Sequence, residues 1–351
     1  MSSHSSRDAV IIGAGVIGCS IALGLTRQGF KTLNVDALPA AGYGSTSHSS
    51  AIVRPYYSHV TAAAIAHESR SRWLDWPGFL EHEDPAGMAR YTESGGLLLI
   101  REGEEAAYEG NLTVLDTVGV PYERLTAEGV AALYPGISLA VFGPPKRRDA
   151  PDFGQPVPGR ISGGVLIPAS GYVSDPQLAA HNLMAAALSR GAQFRFGARV
   201  GRIENQAGQV SGVVLDDGTR ISAPVVVNAA GPHSALINDL AGISEALRIQ
   251  TRAERHEVVY LPAPEGYLAG GNGFLVDLDA GIYARPDGQD LLIGTADPDC
   301  DKPDVVDPDD FSRQLSEQWT TQAHRAAQRF PSLGIENTAR GTVGLYDVSN
   351  D

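Results

Sequence analysis

The sequence has few cysteines, few basic residues and no long hydrophobic run, and each scarcity excludes a class of protein. Its two cysteines, Cys19 and Cys300, argue against a disulfide framework and a cysteine metal site, and they favour a reducing cytoplasm. The 27 basic and 41 acidic side chains give a net charge of −14, so nucleic-acid binding is not expected. The most apolar stretch, residues 9–25, is too short to span a membrane and is interrupted by glycines.

A glycine-rich turn is the first motif in the chain. Residues 9–12 (AVII) predict a buried strand, and GAGVIG follows with Gly13, Gly15 and Gly18. In such a turn the first glycine allows a sharp bend, the second leaves room for a pyrophosphate, and the third lets the next helix pack on the strand. The N-terminus of that helix offers N–H groups and a partial positive charge to phosphates. The motif therefore predicts dinucleotide binding.

The order of the following elements narrows the type of dinucleotide enzyme. A second strand ends at Asp36, where an acid binds ribose hydroxyls and repels a 2′-phosphate. The regular third strand of an NAD dehydrogenase does not follow. Instead the chain enters a polar loop, GSTSHSSAIVR (44–54), and the parallel strand–helix pattern resumes only near residue 173 with a helix predicted over 174–191.

Five segments together resemble the D-amino-acid oxidase superfamily of FAD-dependent oxidoreductases, which includes glycine oxidase, sarcosine oxidase and dimethylglycine dehydrogenase. They are the glycine-rich turn, the loop 44–54, GGVLIPASGYVSDPQLA (163–179), VVVNAAGP (225–232) and GTVGLYD (341–347). The resemblance covers essentially the whole chain. It implies an α/β fold with a Rossmann-like, three-layer FAD-binding domain and a discontinuous substrate domain built on an antiparallel sheet.

The length of 351 residues exceeds what one hydrophobic core usually serves, so two domains are expected. The resemblance implies an FAD-binding domain over 1–85 and 161–245 and a substrate domain over 86–160 and 246–336. Residues 337–351 would begin a further FAD-domain segment. Within the substrate domain, the segment 307–330, with acids at its start, predicts a helix.

The resemblance also implies which residues contact FAD. They belong to the glycine-rich turn and its helix, the acid that ends the second strand, the polar loop and two later segments. These residues are Gly13, Gly15, Val16, Ile17, Gly18, Asp36, Ala37, Gly44, Ser45, Thr46, Ser47, His48, Val200, Ala229, Ala230 and Gly231.

Four residues are candidates for chemistry or substrate binding by the same resemblance. His48 falls where dimethylglycine dehydrogenase bonds a histidine covalently to FAD, and a polar neighbour without that bond is the alternative. Arg54 falls where sarcosine oxidase holds the substrate carboxylate, and a structural ion pair is the alternative. His256 and Tyr283 lie on predicted strands whose faces look toward the flavin, unless they are simply packed there.

The chain departs from the superfamily pattern in two places. Glycine oxidase and D-amino-acid oxidase carry a G-L-R-P segment whose arginine holds the substrate carboxylate, whereas residues 344–347 here read GLYD. This difference argues against a simple amino-acid oxidase and leaves Arg54 as the expected carboxylate anchor. A substrate without a carboxylate is the alternative. The sequence also stops at DVSND, before the glycine-rich stretch that family members continue into. A truncated gene product, a partial chain and one half of a split enzyme completed by a partner chain are the three interpretations.

The resulting hypothesis is an FAD-dependent oxidoreductase that oxidises a C–N bond of an amine or N-alkyl amino acid, of the sarcosine or glycine type, by hydride transfer to flavin N5. One rival is a flavin enzyme of the same fold acting on a 2-hydroxy acid or glycerol phosphate. The other is a non-catalytic FAD-binding chain. No metal is expected at the site, and a small molecule is the expected partner.

Overall fold

The computed structural model describes residues 7–268 and 273–351. The α-helices in these ranges are α1 (Val16–Arg27), α2 (Val60–Leu74), α3 (Trp76–Leu80), α4 (Glu105–Val118), α5 (Ala127–Leu133), α6 (Pro176–Ser189), α7 (Ser234–Ala241) and α8 (Glu317–Arg329). Short 3₁₀ segments cover Ser45–His48, Gly231–His233 and Ser244–Ala246. Within the described ranges, no helix is both long enough and apolar enough to cross a bilayer.

The strands are numbered in chain order over the same ranges. They are β1 (Ala9–Ile12), β2 (Thr32–Val35), β3 (Ile52–Val53), β4 (Tyr91–Glu93), β5 (Gly96–Arg101), β6 (Glu123–Thr126), β7 (Ala140–Val141), β8 (Val157–Ile167), β9 (Gly171–Val173), β10 (Gln193–Arg195), β11 (Val200–Gln206), β12 (Gln209–Leu215), β13 (Arg220–Ser222), β14 (Val226–Asn228), β15 (Thr251–Pro262), β16 (Phe274–Asp277), β17 (Ile282–Asp287), β18 (Asp290–Thr295) and β19 (Arg340–Ser349).

A parallel sheet in the order β10-β2-β1-β14 forms the middle layer of the FAD-binding part. Buried residues of α1 and α6 cover one face, and the antiparallel sheet β11-β12-β13 contributes apolar side chains to the other. Helix α6 begins at Pro176, two residues after the predicted start, and the Asp175 carboxylate caps it by accepting a hydrogen bond from Leu178 N–H. The three-layer arrangement predicted from the sequence is confirmed.

A second, larger sheet contains most of the remaining strands, apart from β3, β9 and β4, which form a small sheet of their own. Its strand order is β19-β15-β18-β17-β16-β5-β8-β6, with β7 also paired to β8, and every pair is antiparallel except β16 with β5. Strand β8 crosses the predicted boundary at residue 160, and β19 extends this sheet beyond residue 336 along nearly the whole of β15. The domain boundaries named above stay predictions, but β19 places residues 340–349 in this sheet.

Helix α8 packs on the large sheet through two buried arginines. Arg325 makes hydrogen bonds of 2.7 and 2.9 Å to the Asp301 carboxylate, and Arg329 makes one of 2.6 Å to Asp277 and one of 3.0 Å to Asp279. Both guanidinium groups are almost fully buried, so each needs its acid partners. These pairs fix the helix against the sheet.

Helix α8 starts ten residues later than the sequence predicts. Residues 307–316, which we call the strap, run as an irregular segment beside β15. There Arg255 Nε and Nη2 donate to the carbonyls of Ser312 (2.8 Å) and Gln314 (2.5 Å). The helix begins only after Ser316, whose hydroxyl accepts from Gln318 N–H. Long-range hydrogen bonds thus override the local helical pattern in 307–316.

Candidate active site

A cavity of about 1010 Å³ lies between the parallel sheet and the large sheet. Residues of the glycine-rich turn, the polar loop, the end of β14, β15 and β19 line it. This volume is at the upper end of the roughly 300–1,000 Å³ typical of ligand pockets, which suits a large ligand.

The glycine-rich turn is packed so tightly that side chains are excluded at two of its three glycines. Gly13 has φ of +112°, and a Cβ there would lie 2.3 Å from the Ala229 carbonyl oxygen. A Cβ on Gly18 would lie 2.2 Å from the Gly13 oxygen. The Asn34 amide donates to both Gly13 and Gly18 carbonyls at 3.0 Å, which locks β1, α1 and β2 together.

The N-terminus of α1 faces the cavity and the polar loop. Gly15, the residue before the helix, has no side chain, and a Cβ there would meet only the Thr46 hydroxyl, at 3.2 Å. That hydroxyl accepts a hydrogen bond of 3.1 Å from Val16 N–H, so its own hydrogen is directed elsewhere. Val16 and the 65% exposed Ile17 both line the cavity. An anionic group here would meet helix N–H groups and a hydroxyl donor.

Asp36 lies at the carboxyl end of β2 and lines the cavity with Ala37. One carboxylate oxygen accepts from Ala14 N–H at 2.7 Å, and the other accepts from Leu38 N–H at 2.8 Å. Each oxygen has a second acceptor position. The carboxylate is therefore held in place and can also receive ribose hydroxyls.

The loop residues Ser45–His48 form a 3₁₀ turn that directs side chains to different sides. The Ser47 hydroxyl donates back to the Gly44 carbonyl at 3.0 Å, so Ser47 does not line the cavity. His48 Nδ1 lies 3.0 Å from the same carbonyl and 3.1 Å from Ser47 Oγ. His48 lines the cavity, and its Cβ packs against Gly344 of β19, where an added Cβ would lie 2.7 Å from it.

His256 lies on β15 and faces the cavity beside Tyr346 of β19. The two rings stack, with centroids 4.1 Å apart. His256 Nε2 lies 3.8 Å from the Glu254 carboxylate, and Nδ1 lies 3.6 Å from the Asp297 carboxylate. Burial raises the pKa of Asp297, although the neighbouring His256 opposes that shift. The group thus combines an imidazole, a phenol and two acids.

Tyr283 and Arg54 do not line this cavity. The Tyr283 hydroxyl forms a hydrogen bond of 2.6 Å with Ser50 Oγ, and Ser50 does line the cavity. Burial raises the pKa of Tyr283 well above its usual value, so the hydroxyl stays protonated. The Arg54 guanidinium donates to the Tyr56 carbonyl and lies 4.6 Å from the Tyr57 ring centroid.

The predicted cofactor residues Val200, Ala229, Ala230 and Gly231 line another part of the cavity. Residues that the sequence did not indicate complete it. The strap residue Asp309 accepts from Arg199 at 2.9 and 3.0 Å and contacts His233 Nε2 at 3.1 Å, and Phe311 and Arg313 follow along the cavity wall. The Arg199 hydrogen bonds lower the pKa of Asp309. The acidic sequence of the strap contains no motif that would have predicted its place in the cavity wall.

The structure therefore brings most of the predicted cofactor residues to one cavity. Gly18 and Ser47 lie behind its wall, where they shape the turn and the loop. The N-terminus of α1, the absence of a side chain at Gly15 and the fixed Asp36 carboxylate suit the pyrophosphate and ribose of a dinucleotide. No group of three metal-ligating side chains is found among residues 7–268 and 273–351.

Comparison with known proteins agrees with this geometry. Residues 8–351 match the profile of the family described as FAD dependent oxidoreductase. The D-amino acid dehydrogenase of Methylobacterium sp. (strain 4-46) is 26% identical over 283 residues, which are 67% of this chain and 63% of that protein. The chain thus spans less than two thirds of the length of this relative.

Solved structures show the same fold. L-proline dehydrogenase from P. horikoshii superposes with a TM-score of 0.78 at 20% identity, covering 99% of this chain and 83% of that one. Glycine oxidase from Geobacillus kaustophilus gives 0.74 at 23% identity, covering 98% and 84%. An L-alpha-glycerophosphate oxidase from Mycoplasma pneumoniae, solved with FAD bound, gives 0.72 at 20% identity, covering 99% and 84%. With a profile match over nearly its whole length and a cavity shaped for a dinucleotide, the chain belongs to the FAD-dependent oxidoreductase family, whose cofactor is FAD.

Proposed function

We propose that this protein oxidises a C–N bond of an amine or N-alkyl amino acid. The observation that carries the proposal is the convergence of the dinucleotide turn, the polar loop and the His256–Tyr346 stack on one cavity. The names of relatives support the substrate class, because they include a D-amino acid dehydrogenase and a glycine oxidase. When bound there, FAD would supply an acceptor for the hydride of the carbon next to nitrogen, which leaves an imine that water hydrolyses.

The protein residues position the substrate and manage its proton. Only a neutral amine donates hydride readily, and an amine with a pKa near 10 costs roughly 4 kcal/mol to deprotonate at pH 7. His256 faces the cavity and is the proposed proton acceptor. When it takes the proton, the carboxylates of Glu254 and Asp297, 3.8 and 3.6 Å away, balance the new charge.

The Arg54 proposal concerns the substrate carboxylate. In the structure its guanidinium is engaged by the Tyr56 carbonyl and the Tyr57 ring. Binding a substrate carboxylate therefore requires the side chain to rotate away from these two contacts. Arg54 and His48 remain proposed site residues, Arg54 for the substrate and His48 for a covalent bond to FAD.

Anaerobic reduction of the bound flavin tests the proposal. Sarcosine, dimethylglycine, D-amino acids and plain amines are compared with 2-hydroxy acids and glycerol phosphate, and bleaching near 450 nm is followed. We expect C–N substrates to reduce the flavin and hydroxy compounds to leave it oxidised. Faster reduction by a hydroxy acid or by glycerol phosphate would favour the rival substrate class. Bound FAD that no compound reduces would favour a non-catalytic chain.

A further inference from the structure

The polar loop is tied to the large sheet at one residue, Ser50. Its side chain forms a hydrogen bond of 2.6 Å with the Tyr283 hydroxyl, and its carbonyl accepts a hydrogen bond of 2.6 Å from Arg285 Nε. Tyr283 and Arg285 stand two residues apart on β17, more than 230 positions further along the chain. We call Ser50, Tyr283 and Arg285 the Ser50 anchor.

Arg285 is a buried side chain whose Nε and Nη1 groups both donate hydrogen bonds. It is 3% exposed, and besides Ser50 its guanidinium donates to the Pro286 carbonyl at 2.6 Å and to Asp287 at 3.0 Å. Its guanidinium carbon lies 4.8 Å from the centroid of the Tyr172 ring on β9. Strand β9 pairs with β3, which lies within the same loop, and Tyr172 is the partner of Ile52. Arg285 thus contacts the loop directly at Ser50 and, through Tyr172, at the strand β3.

The Tyr283 ring packs closely over Gly294, where a side chain would leave it no room. A Cβ on Gly294 of β18 would lie 2.3 Å from Tyr283 Cζ and 2.4 Å from its hydroxyl oxygen. Ser50 itself is 9% exposed, so its bond to Tyr283 is shielded from water. A shielded hydrogen bond between two fixed groups has little freedom to exchange partners.

We propose that Tyr283 and Arg285 are positioning residues that act through Ser50. They set the place of the loop residues Thr46 and His48, which line the cavity, relative to the large sheet that carries His256 and Tyr346. The anchor makes the cofactor side and the substrate side of the cavity move as one body. The proposal rests on FAD binding in this cavity and does not depend on which substrate the protein oxidises.

A double-mutant cycle in FAD affinity tests the anchor. The variants Ser50→Ala, Tyr283→Phe and the double variant are stripped of flavin and titrated with FAD. Each single variant should bind FAD about fivefold more weakly, as expected for one hydrogen bond, and the double variant should lose little more. The visible circular dichroism of the bound flavin should change in the same three proteins. Tyr108→Phe is the matched control, because Tyr108 is a buried tyrosine whose hydroxyl donates to the Leu99 carbonyl in a separate core cluster.

Amide exchange in the apoprotein gives a second test that needs no cofactor. Amides of residues 45–53 should exchange faster in Tyr283→Phe than in wild type, while those of β15 and β18 keep their rates. Unchanged exchange together with unchanged FAD affinity in both single variants would overturn the anchor. Losses that multiply in the double variant would also overturn it, because they would show that the two side chains act independently. Loss of turnover with normal FAD affinity would concern the proposed reaction and not the anchor.

Discussion

The phenol ring of Tyr346 stacks on the imidazole of His256 with their planes 16° apart. Tyr346 occupies the position where the G-L-R-P pattern of the resemblance has arginine. Where that pattern has a cation, this chain has an aromatic ring, and the ring stacks on the imidazole and orients it. The pairing of β19 with β15 creates the contact, because Tyr346 lies opposite Glu254 in the register and close to His256.

Removing the Tyr346 ring should weaken the reaction through His256. We expect Tyr346→Ala to lower kcat/KM about 2- to 12-fold, since an aromatic pair contributes about 0.5–1.5 kcal/mol. Tyr346→Phe keeps the stack and should stay within about threefold of wild type. The measurement is anaerobic flavin reduction over a range of substrate concentrations. Equal losses in both variants would show that the hydroxyl, and not the ring, matters.

A branched side chain at Gly15 should abolish flavin retention. Gly15→Val places methyl groups between the start of α1 and Thr46, where the pyrophosphate is expected to approach. The purified variant should lack the absorbance band near 450 nm. Gly24→Ala is the matched control on the same helix, because no atom lies within 4 Å of the added Cβ. It should keep the flavin and gain up to about 1 kcal/mol in stability. A yellow Gly15→Val protein would refute the assignment.

The covalent role of His48 predicts a flavin that survives denaturation. Because His48 Nδ1 faces the Gly44 carbonyl and the Ser47 hydroxyl, Nε2 is the nitrogen that we expect to form the bond. After acid or SDS treatment, the wild-type band should stay yellow and fluorescent on a gel, whereas His48→Ala should lose all flavin. Flavin that washes off the wild type would make His48 a neighbour only.

Arg54 variants separate substrate binding from local structure. If Arg54 binds a carboxylate, Arg54→Lys should hurt nearly as much as Arg54→Ala, because an ammonium group cannot reproduce the bidentate fork. The expected loss is about 2–4 kcal/mol in kcat/KM for an N-alkyl amino acid, with no loss for the matching amine that lacks the carboxylate. An equal effect on both substrates, together with a lower melting temperature, would show that Arg54 acts through its contacts with Tyr56 and Tyr57.

The buried pair of Asp301 and Arg325 should make stability depend on acid. Burial alone would raise the pKa of Asp301, but the hydrogen bonds and charge of Arg325 hold that pKa below its usual value. The contribution to folding is therefore complete above the unfolded pKa, near 3.9, and is lost as the pH falls through the lower folded pKa. At pH 7 we expect Asp301→Asn to cost about 3–5 kcal/mol in the free energy of unfolding.

Urea denaturation at several pH values measures the direction of this pH dependence. The gap in unfolding free energy between wild type and Asp301→Asn should shrink as the pH falls below about 4. A gap that stays constant would show that the Asp301–Arg325 pair does not cause the pH dependence of stability. Arg124→Ala is the control, because Arg124 and Glu109 form an exposed pair that should leave the melting temperature nearly unchanged.

The sequence predicted the parts of the site whose requirements are local. Gly13, Gly18 and Asp36 were found because a sharp turn, a close helix–strand contact and an acid after a strand each follow from a few neighbouring residues. The three-layer fold and the family followed from the order of such segments. These features need only the 3.6- and 2-residue periods and the steric limits of glycine.

Contacts between distant segments could not be predicted from the sequence. The Ser50 anchor joins residues about 235 positions apart, and Asp309 reaches Arg199 from a strap that was predicted to be helical. No local pattern fixes which strand lies beside which, so neither contact has a signature in one sequence. The contacts of Arg54 with the Tyr56 carbonyl and the Tyr57 ring likewise have no signature in the sequence.

The fit of Gly344 under His48 has a consequence for changes in chain length. Strand β19 keeps Gly344 opposite His256, and a shift of one residue would bring the side chain of Val343 or Leu345 into a space with no room for a Cβ. An insertion or deletion inside residues 340–344 would therefore create a steric clash between β19 and His48 of the polar loop. The irregular stretch before Arg340 can absorb such changes, so length variation that natural selection tolerates should end where β19 begins.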